Sequence, residues 1–208
     1  MEWYQWLSYG AFFLCLLICA GHFIRLVRLG KPTDFAAPAG SEKSGIAYSF
    51  TSGMSPKKKE SAFLHLPTYL AGMVFHLGTF LAILIYLVLL VYSPPPGTFL
   101  TMIPAALLSV GALCGAGILI KRMVTPLLRN LSNPDDYISN FLVTLSQAAL
   151  ALALVQPSAG ILFWITTTVL WLWFPFGKLK HAMYFFAARY HLGLFFGRRG
   201  VWPSPKQM

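Results

Sequence analysis

Five long runs of apolar residues dominate this sequence and limit what it can fold into. They cover residues 6–27, 66–92, 97–120, 137–155 and 161–176. A helix needs about 20 consecutive apolar residues to cross the hydrocarbon core of a bilayer. The chain is 57% hydrophobic and 11% charged over 208 residues, more apolar surface than a soluble domain of this size buries. We therefore predict an all-α integral membrane protein, a single domain built as a bundle of five transmembrane helices.

The connections between the runs predict two tight reversals of the chain. Residues 93–97 read Ser-Pro-Pro-Pro-Gly and cannot be helical, and residues 156–160 read Gln-Pro-Ser-Ala-Gly. The second and third helices, and the fourth and fifth, are therefore expected to form antiparallel hairpins. The fifth run is short, but an apolar pattern resumes over residues 182–188, so the sequence leaves the end of the fifth helix open.

The positions of the basic residues predict an orientation. All 16 Lys and Arg residues fall between Arg25 and Lys59, between Lys121 and Arg129, or from Lys178 onward. Because cytoplasmic loops retain Lys and Arg, the N-terminus is predicted outside and the C-terminus in the cytoplasm. Residues 28–65 then form a basic cytoplasmic loop and residues 182–208 a cytoplasmic tail.

The net charge of +10 would suggest a nucleic-acid partner in a soluble protein, but here membrane topology accounts for it, and no such partner is predicted. Within the basic loop, the run Pro56-Lys57-Lys58-Lys59 is interpreted either as a patch facing anionic lipid or as a docking site for a cytoplasmic partner. No P-loop, GxSxG, HExxH or dinucleotide motif is present, so a catalytic site of the soluble-enzyme type is not expected.

The five histidines are the main chemical signal, because the apolar runs contain almost no other ionisable residue. They are His22, His65, His76, His181 and His191. An imidazole within a membrane needs a partner, and haem iron is one that takes neutral imidazole as a strong ligand. The alternative for each is a hydrogen-bonded or snorkelling side chain near the membrane surface.

His76 and His181 fit a haem site best. The second helix enters from the cytoplasm and the fifth returns to it, so both histidines belong to the cytoplasmic half. One histidine from each of two antiparallel helices is the arrangement of a b-type cytochrome. Gly72 and Gly78 flank His76 on the helix and leave room for a flat macrocycle. Lys178 and Lys180 are candidates to meet the haem propionates.

Three stretches of these residues resemble the gamma subunit of respiratory nitrate reductase and related membrane cytochromes b of sulfate-reducer and heterodisulfide-reductase-type complexes. Residues 75–78 (Phe-His-Leu-Gly) are similar to the motif that carries one haem ligand, His76 here. Lys121-Arg122 resembles a basic pair at the inner end of the third helix. Residues 174–181 (Phe-Pro-Phe-Gly-Lys-Leu-Lys-His) are similar to the segment that ends in the other axial ligand, His181 here. The resemblance implies one haem b held by these two histidines.

The chain departs from the family at the positions of a second haem. Where two-haem members carry two further histidines, this sequence has Tyr86 and Phe163. The outer haem is therefore expected to be absent. His65 has no counterpart in the nitrate reductase pattern, and three roles are open to it: a quinone site, a cap of the second helix, or a second haem shared with His191 or His22.

By this resemblance the chain is a haem b membrane anchor that transfers electrons between the quinone pool, as quinone or menaquinone, and a cytoplasmic iron–sulfur subunit. The expected location is a prokaryotic cytoplasmic membrane. His65, His22, Tyr69 and Tyr86 are the quinone-site candidates, and catalysis of the terminal reaction would belong to partner subunits. The alternative is a haem-free structural anchor or assembly subunit of a larger complex.

Overall fold

A computed structural model describes residues 2–29, 35–55 and 65–203, which form helices and turns without a β-strand. The α-helices are α1 (Trp3–Leu29), α2 (Glu42–Phe50), α3 (Leu66–Leu89), α4 (Phe99–Val124), α5 (Pro126–Asn130), α6 (Pro134–Val155), α7 (Gly160–Trp173) and α8 (His181–Arg198). The prediction of an all-α chain is confirmed. The basic run at residues 56–59 lies outside the described residues.

Among the described residues, four helices are long and apolar enough to cross a membrane, namely α1, α3, α4 and α6. The pair α7 and α8 provides a fifth crossing only if the two are counted as one broken span. The helix ends follow local chemistry. Pro67 occupies the first turn of α3, and a capping box between Thr98 and Thr101 opens α4 just after Gly97, whose φ is +72°.

The fifth apolar run and the apolar pattern over residues 182–188 do not form one continuous helix. α7 ends at Trp173, and a 3₁₀ turn over Lys178–Lys180 leads into α8. Pro175 is fully buried in the intervening turn and has no N–H to continue the helix. Gly177 donates its N–H to the Trp173 carbonyl (2.9 Å), and a side chain at Gly177 would collide with the Trp173 indole. The apolar pattern that resumes after residue 181 therefore belongs to a separate helix.

The chain divides into two compact units. The first unit comprises Met1–Leu16 and His65–Leu179, and the second comprises Leu17–Leu64 and Lys180–Met208. In the first unit α4 packs against both α3 and α6, and α6 also packs against α7. Its buried core includes Tyr86, Leu108 and Leu150. Short connections place α3 beside α4 and α6 beside α7, as expected for helices joined by tight turns.

The second unit is built on the close packing of α2 against α8. Gly45 lies against the backbone of Gly193 and Gly197, so that even a methyl group at residue 45 would stand 2.8 Å from the Gly197 nitrogen. Ser49 donates a hydrogen bond from its hydroxyl to the Arg189 carbonyl (2.8 Å). Small residues four apart on each helix permit this contact between backbones.

Polar contacts at one end of the α2–α8 pair complete the second unit. Arg198 pairs with Glu42 (3.2 Å), and its carbonyl accepts the N–H groups of Ala39 and Gly40 at 2.8 and 3.0 Å. Trp202 packs against Phe196 in a tilted arrangement, with 4.7 Å between ring centroids. The segment expected to be a loop thus contains a helix, and the segment expected to be a tail supplies its packing partner.

Candidate functional site

His76 lies on α3 in the first unit with its side chain exposed. Its Nδ1 lies 2.7 Å from the Gly72 carbonyl, one turn earlier. A carbonyl oxygen only accepts, so Nδ1 carries the proton and donates it. In the neutral ring the basic nitrogen is then Nε2. Metal-bound histidines are held in this way, because the ring N–H that does not face the metal is bonded to a carbonyl or carboxylate.

His181, the other expected ligand, is the first residue of α8 and belongs to the second unit. Its side chain is exposed. The turn at residues 174–177 and the short 3₁₀ turn place it at a helix start rather than within a continuous fifth helix. The donor chemistry at both positions, imidazole in a largely apolar chain, fits an iron porphyrin.

The other three histidines differ in their surroundings. His65 occupies the N-cap position of α3 but makes no side-chain capping hydrogen bond, and it is exposed. His22 is half-buried on α1. His191 is bonded through Nε2 to the Leu26 carbonyl (3.2 Å), and its Nδ1 is buried without a hydrogen-bond partner in the described part of the chain. His191 is therefore connected to α1 by a hydrogen bond.

Three of the four basic residues expected at the haem site contact other side chains within the first unit. Arg122 and Lys178 converge on Asp136, whose side chain is 4% exposed, with Arg122 Nη1 at 3.5 Å and Lys178 Nζ in direct contact. Lys121 donates to the Thr68 hydroxyl. Lys180 lies in the second unit, just before α8.

Asp136 therefore pairs with two of the four basic residues, and the sequence alone did not identify it. It also closes a reciprocal cap with Asn133: each backbone N–H donates to the other side chain, at 3.0 and 3.1 Å. A second polar contact lies beside it, where the Trp173 indole donates to Asp135 (3.2 Å) and Ser139 (3.1 Å). The sequence signal was the Asn-Pro-Asp-Asp stretch, a helix start with two acids in an otherwise acid-poor chain.

We expect Asp136→Asn to destabilise the protein by about 1–3 kcal/mol, because it leaves Arg122 and Lys178 without their counter-charge while preserving the shape of the side chain. Thermal unfolding in detergent measures the effect. Asp135→Asn is the matched control, since Asp135 accepts hydrogen bonds from Trp173 and Ser139 and pairs with no cation in the described chain. Equal losses for the two variants would contradict a role for the charge.

The two glycines beside His76 have different surroundings. Apart from the backbone of its own helix and its two chain neighbours, no atom of the described residues lies within 4 Å of where a side chain at Gly72 would begin. Gly78, in contrast, faces Gly111 of α4 and the side-chain oxygen of Gln147 from α6, which is 2.5 Å from the position of a Cβ. Because Gly78 has no side chain, α3, α4 and α6 can pack closely at this position. The helix surface at Gly72, in contrast, is not covered by another described residue.

Gln147 of α6 contacts both α3 and α4, next to the segment of α3 that carries His76. It is 1% exposed, and its amide donates to the Phe75 carbonyl (3.2 Å) and the Thr79 hydroxyl (2.9 Å). Its Oε1 is buried with no conventional hydrogen bond in the described chain, and it faces Gly78 and Gly111, whose Cα–H groups are weak donors at helix crossings. A lone glutamine in an apolar span was the signal that could have identified it.

Tyr86, one of the quinone-site candidates, is sealed inside the first unit at 1% exposure. Its hydroxyl lies 3.1 Å from both the hydroxyl and the carbonyl of Ser8 on α1. Its ring lies 6.5 Å from Phe163 and 5.4 Å from Trp171, centroid to centroid. Tyr86 and Phe163 thus lie in one aromatic cluster with Trp171. Tyr69, the other tyrosine candidate, is half-buried on α3.

Comparisons with known protein families, with curated proteins and with solved structures gave no match.

Proposed function

We propose that this chain is a haem b subunit of a membrane-bound respiratory complex and transfers electrons between the quinone pool and a cytoplasmic iron–sulfur partner. The observation that carries the proposal is the geometry of His76. Its Nδ1–H is committed to the Gly72 carbonyl, which leaves Nε2 as the basic nitrogen of an imidazole beside an open helix surface.

His76 and His181 would hold the haem iron as axial ligands, and the haem would supply a site for one electron in a low-dielectric environment. Lys121, Arg122, Lys178 and Lys180 would provide positive charge at the inner helix ends. Asp136 pairs with Arg122 and Lys178, so its negative charge offsets part of the positive charge at these helix ends. The quinone, for which menaquinone is one candidate, would bind near His65, His22 or Tyr69, because the Tyr86 hydroxyl is bonded within the first unit.

The test is a reduced-minus-oxidised absorption spectrum of the purified protein, with pyridine haemochrome quantification per polypeptide. One haem b per chain is the expected result. Two haems per chain would make His65 a ligand, paired with His22 or His191. A purified, folded chain with no haem after expression under haem-replete conditions would contradict the proposal.

A haem-free anchor or assembly subunit is the second candidate function. The observation in its favour is the charge of the second unit, which carries twelve of the chain's 16 Lys and Arg residues against three acids. Such a surface suits docking of a partner without any electron transfer. The haem quantification separates the two functions directly.

The proposed arrangement has five crossings of a prokaryotic cytoplasmic membrane, with the N-terminus outside. Reporter fusions after Pro96 and Gln156 should therefore be active outside, and fusions after Lys59, Arg129 and Met208 inside, because all Lys and Arg residues then lie on the cytoplasmic side. A cytoplasmic signal from either proline-rich turn would overturn this topology, and with it the assignment of both haem ligands to the inner half.

Purification in mild detergent from the native membrane should co-isolate an iron–sulfur subunit. The reason is chemical: an electron carrier of this kind needs a redox partner on its cytoplasmic face, where the basic segments are proposed to lie. Mass spectrometry and iron analysis of the isolated complex measure the outcome. Recovery of the chain alone, still reducible by quinol, would count against a permanent complex.

A further inference from the structure

The apolar residues of α3 do not fix which face of the helix turns toward its neighbours. Leucine, isoleucine, valine, phenylalanine or alanine occurs on every side of it. Because lipid tails are as apolar as these side chains, apolar contact alone does not select one face. Small residues do not select one either. Gly78 faces Gly111 of α4, but Gly72, about 120° away around the same helix, is equally small.

Polar contacts on one face of α3 supply the missing selection. Three polar side chains lie 11 and 7 residues apart, spacings that return to within about 20° of the same direction. Each is bonded to a different helix of the first unit: Thr68 to Lys121 of α4, Thr79 to Gln147 of α6, and Tyr86 to Ser8 of α1. These contacts distinguish the observed rotation of α3 about its axis from all others.

Gln147 makes the contact nearest to His76. Its side-chain amide donates to the Thr79 hydroxyl (2.9 Å) and to the carbonyl of Phe75, the residue before His76. A rotation that moved Thr79 away would leave this buried amide unpaired in apolar surroundings, which is costly. In helical assemblies a single buried amide fixes the register of the helices at a cost in stability. The buried Oε1 of Gln147, with no conventional hydrogen bond in the described chain, is a cost of this kind.

We propose that Gln147 is a positioning residue, whose two hydrogen bonds fix the rotation of α3 and thereby the direction in which His76 presents Nε2. A rotation that broke both bonds would carry His76 through the same angle. The hydrogen bond from Nδ1 to the Gly72 carbonyl would survive, because it lies within α3. Gly72 thus sets which ring nitrogen is basic, and Gln147 sets where the ring points. The use of this direction for haem rests on the proposed function, whereas the rotation itself does not.

Cysteine modification on the covered face of α3 measures the rotation. Residue 82 lies within about 60° of Thr79 around the helix, so after Ala82→Cys a membrane-permeant maleimide should react mainly when α3 turns. The full chain is used in liposomes, with its three native cysteines replaced by alanine. Gln147→Met keeps the length of the side chain and removes both hydrogen bonds. If reaction is slow relative to closing, the rate at residue 82 should rise about eightfold, a factor of about three for each interhelical hydrogen bond.

Two controls separate rotation from general loosening. Residue 149 of α6 is 2% exposed, so after Ala149→Cys it should react when the first unit opens but not when α3 turns. Thr168→Val removes a buried hydroxyl whose hydrogen bond, to the Trp164 carbonyl (2.7 Å), lies within α7. It should leave the rate at residue 82 unchanged. Thr79→Val removes one of the two bonds to Gln147 and should raise that rate about threefold. It decides the question if Gln147→Met fails to fold.

Two outcomes would overturn the proposal. An unchanged rate at residue 82 in Thr79→Val, and in Gln147→Met where that variant folds, would show that these hydrogen bonds do not hold α3 in place. Equal acceleration at residues 82 and 149 would show that Gln147 stabilises the whole unit and does not orient α3. The reaction of the cysteine needs no haem, so a chain that binds none would still give either result.

Discussion

Replacing His76 or His181 with alanine should abolish the b-type absorption spectrum. An iron porphyrin in an apolar site depends on its two axial ligands, so the loss of either proposed ligand should release the haem. The His76 ring is held by the Gly72 carbonyl, so the alanine variant would remove the proposed ligand together with the hydrogen bond that orients it. The measurement is the reduced-minus-oxidised spectrum of each variant at matched protein concentration.

His191→Ala is the matched control for these two substitutions. His191 lies on the same helix as His181, but its Nε2 is bonded to the Leu26 carbonyl. Its loss should leave the spectrum nearly intact and lower only the stability of the second unit. A spectrum that survives His76→Ala, or one that is lost only with His191→Ala, would move the haem away from the proposed ligands.

The second large effect is expected from Gly45→Ala. In an isolated helix this substitution is favourable by about 1 kcal/mol, because alanine is the better helix former. Here the added methyl group would meet the backbone of Gly193 and Gly197, which cannot move aside as a flexible side chain can. We therefore expect α2 to separate from α8 more readily, with a loss of about 1–3 kcal/mol from overpacking.

Trypsin cleavage after Lys43, on α2, measures this separation. The cut requires α2 to open, so its rate should rise about five- to hundredfold in the Gly45→Ala variant if cleavage is slow relative to closing. Gly21→Ala is the control, because Gly21 belongs to the same unit and its added methyl group would meet no described residue outside its own helix. Unchanged cleavage in Gly45→Ala, or equal acceleration in both, would contradict the close packing.

The helices of the first unit could be predicted because their signals are local. The predicted start at residue 66 and the predicted end at residue 155 coincide with those of α3 and α6. Long apolar runs favour helices in a membrane, and the Pro-rich stretches end them without reference to the rest of the chain. The end of the fifth helix was harder to predict, since it depends on the burial of Pro175 and on the close contact of Gly177 with Trp173, and not on composition.

The candidate site was predictable in part for the same reason. His76 stands out as an imidazole in an apolar helix, and its hydrogen bond to Gly72 lies within that helix. Asp136 and Gln147 were missed, because their importance comes from partners 14 to 72 residues away in the chain. The sequence predicts that Gly78 leaves room for a macrocycle, whereas in the fold the Gln147 side chain occupies the space beside Gly78.

The sequence by itself determined that this chain is helical and carries several helices long enough to cross a membrane, because hydrophobicity and proline placement act on each segment separately. Only the tertiary structure decided that residues 42–50 form a helix packed on α8, that the fifth apolar run and residues 182–188 belong to separate helices, and that Arg122 and Lys178 both pair with Asp136. These features arise where small residues let two backbones approach, or where distant charges meet. Such contacts depend on the arrangement of helices in space, which no single segment of the chain specifies.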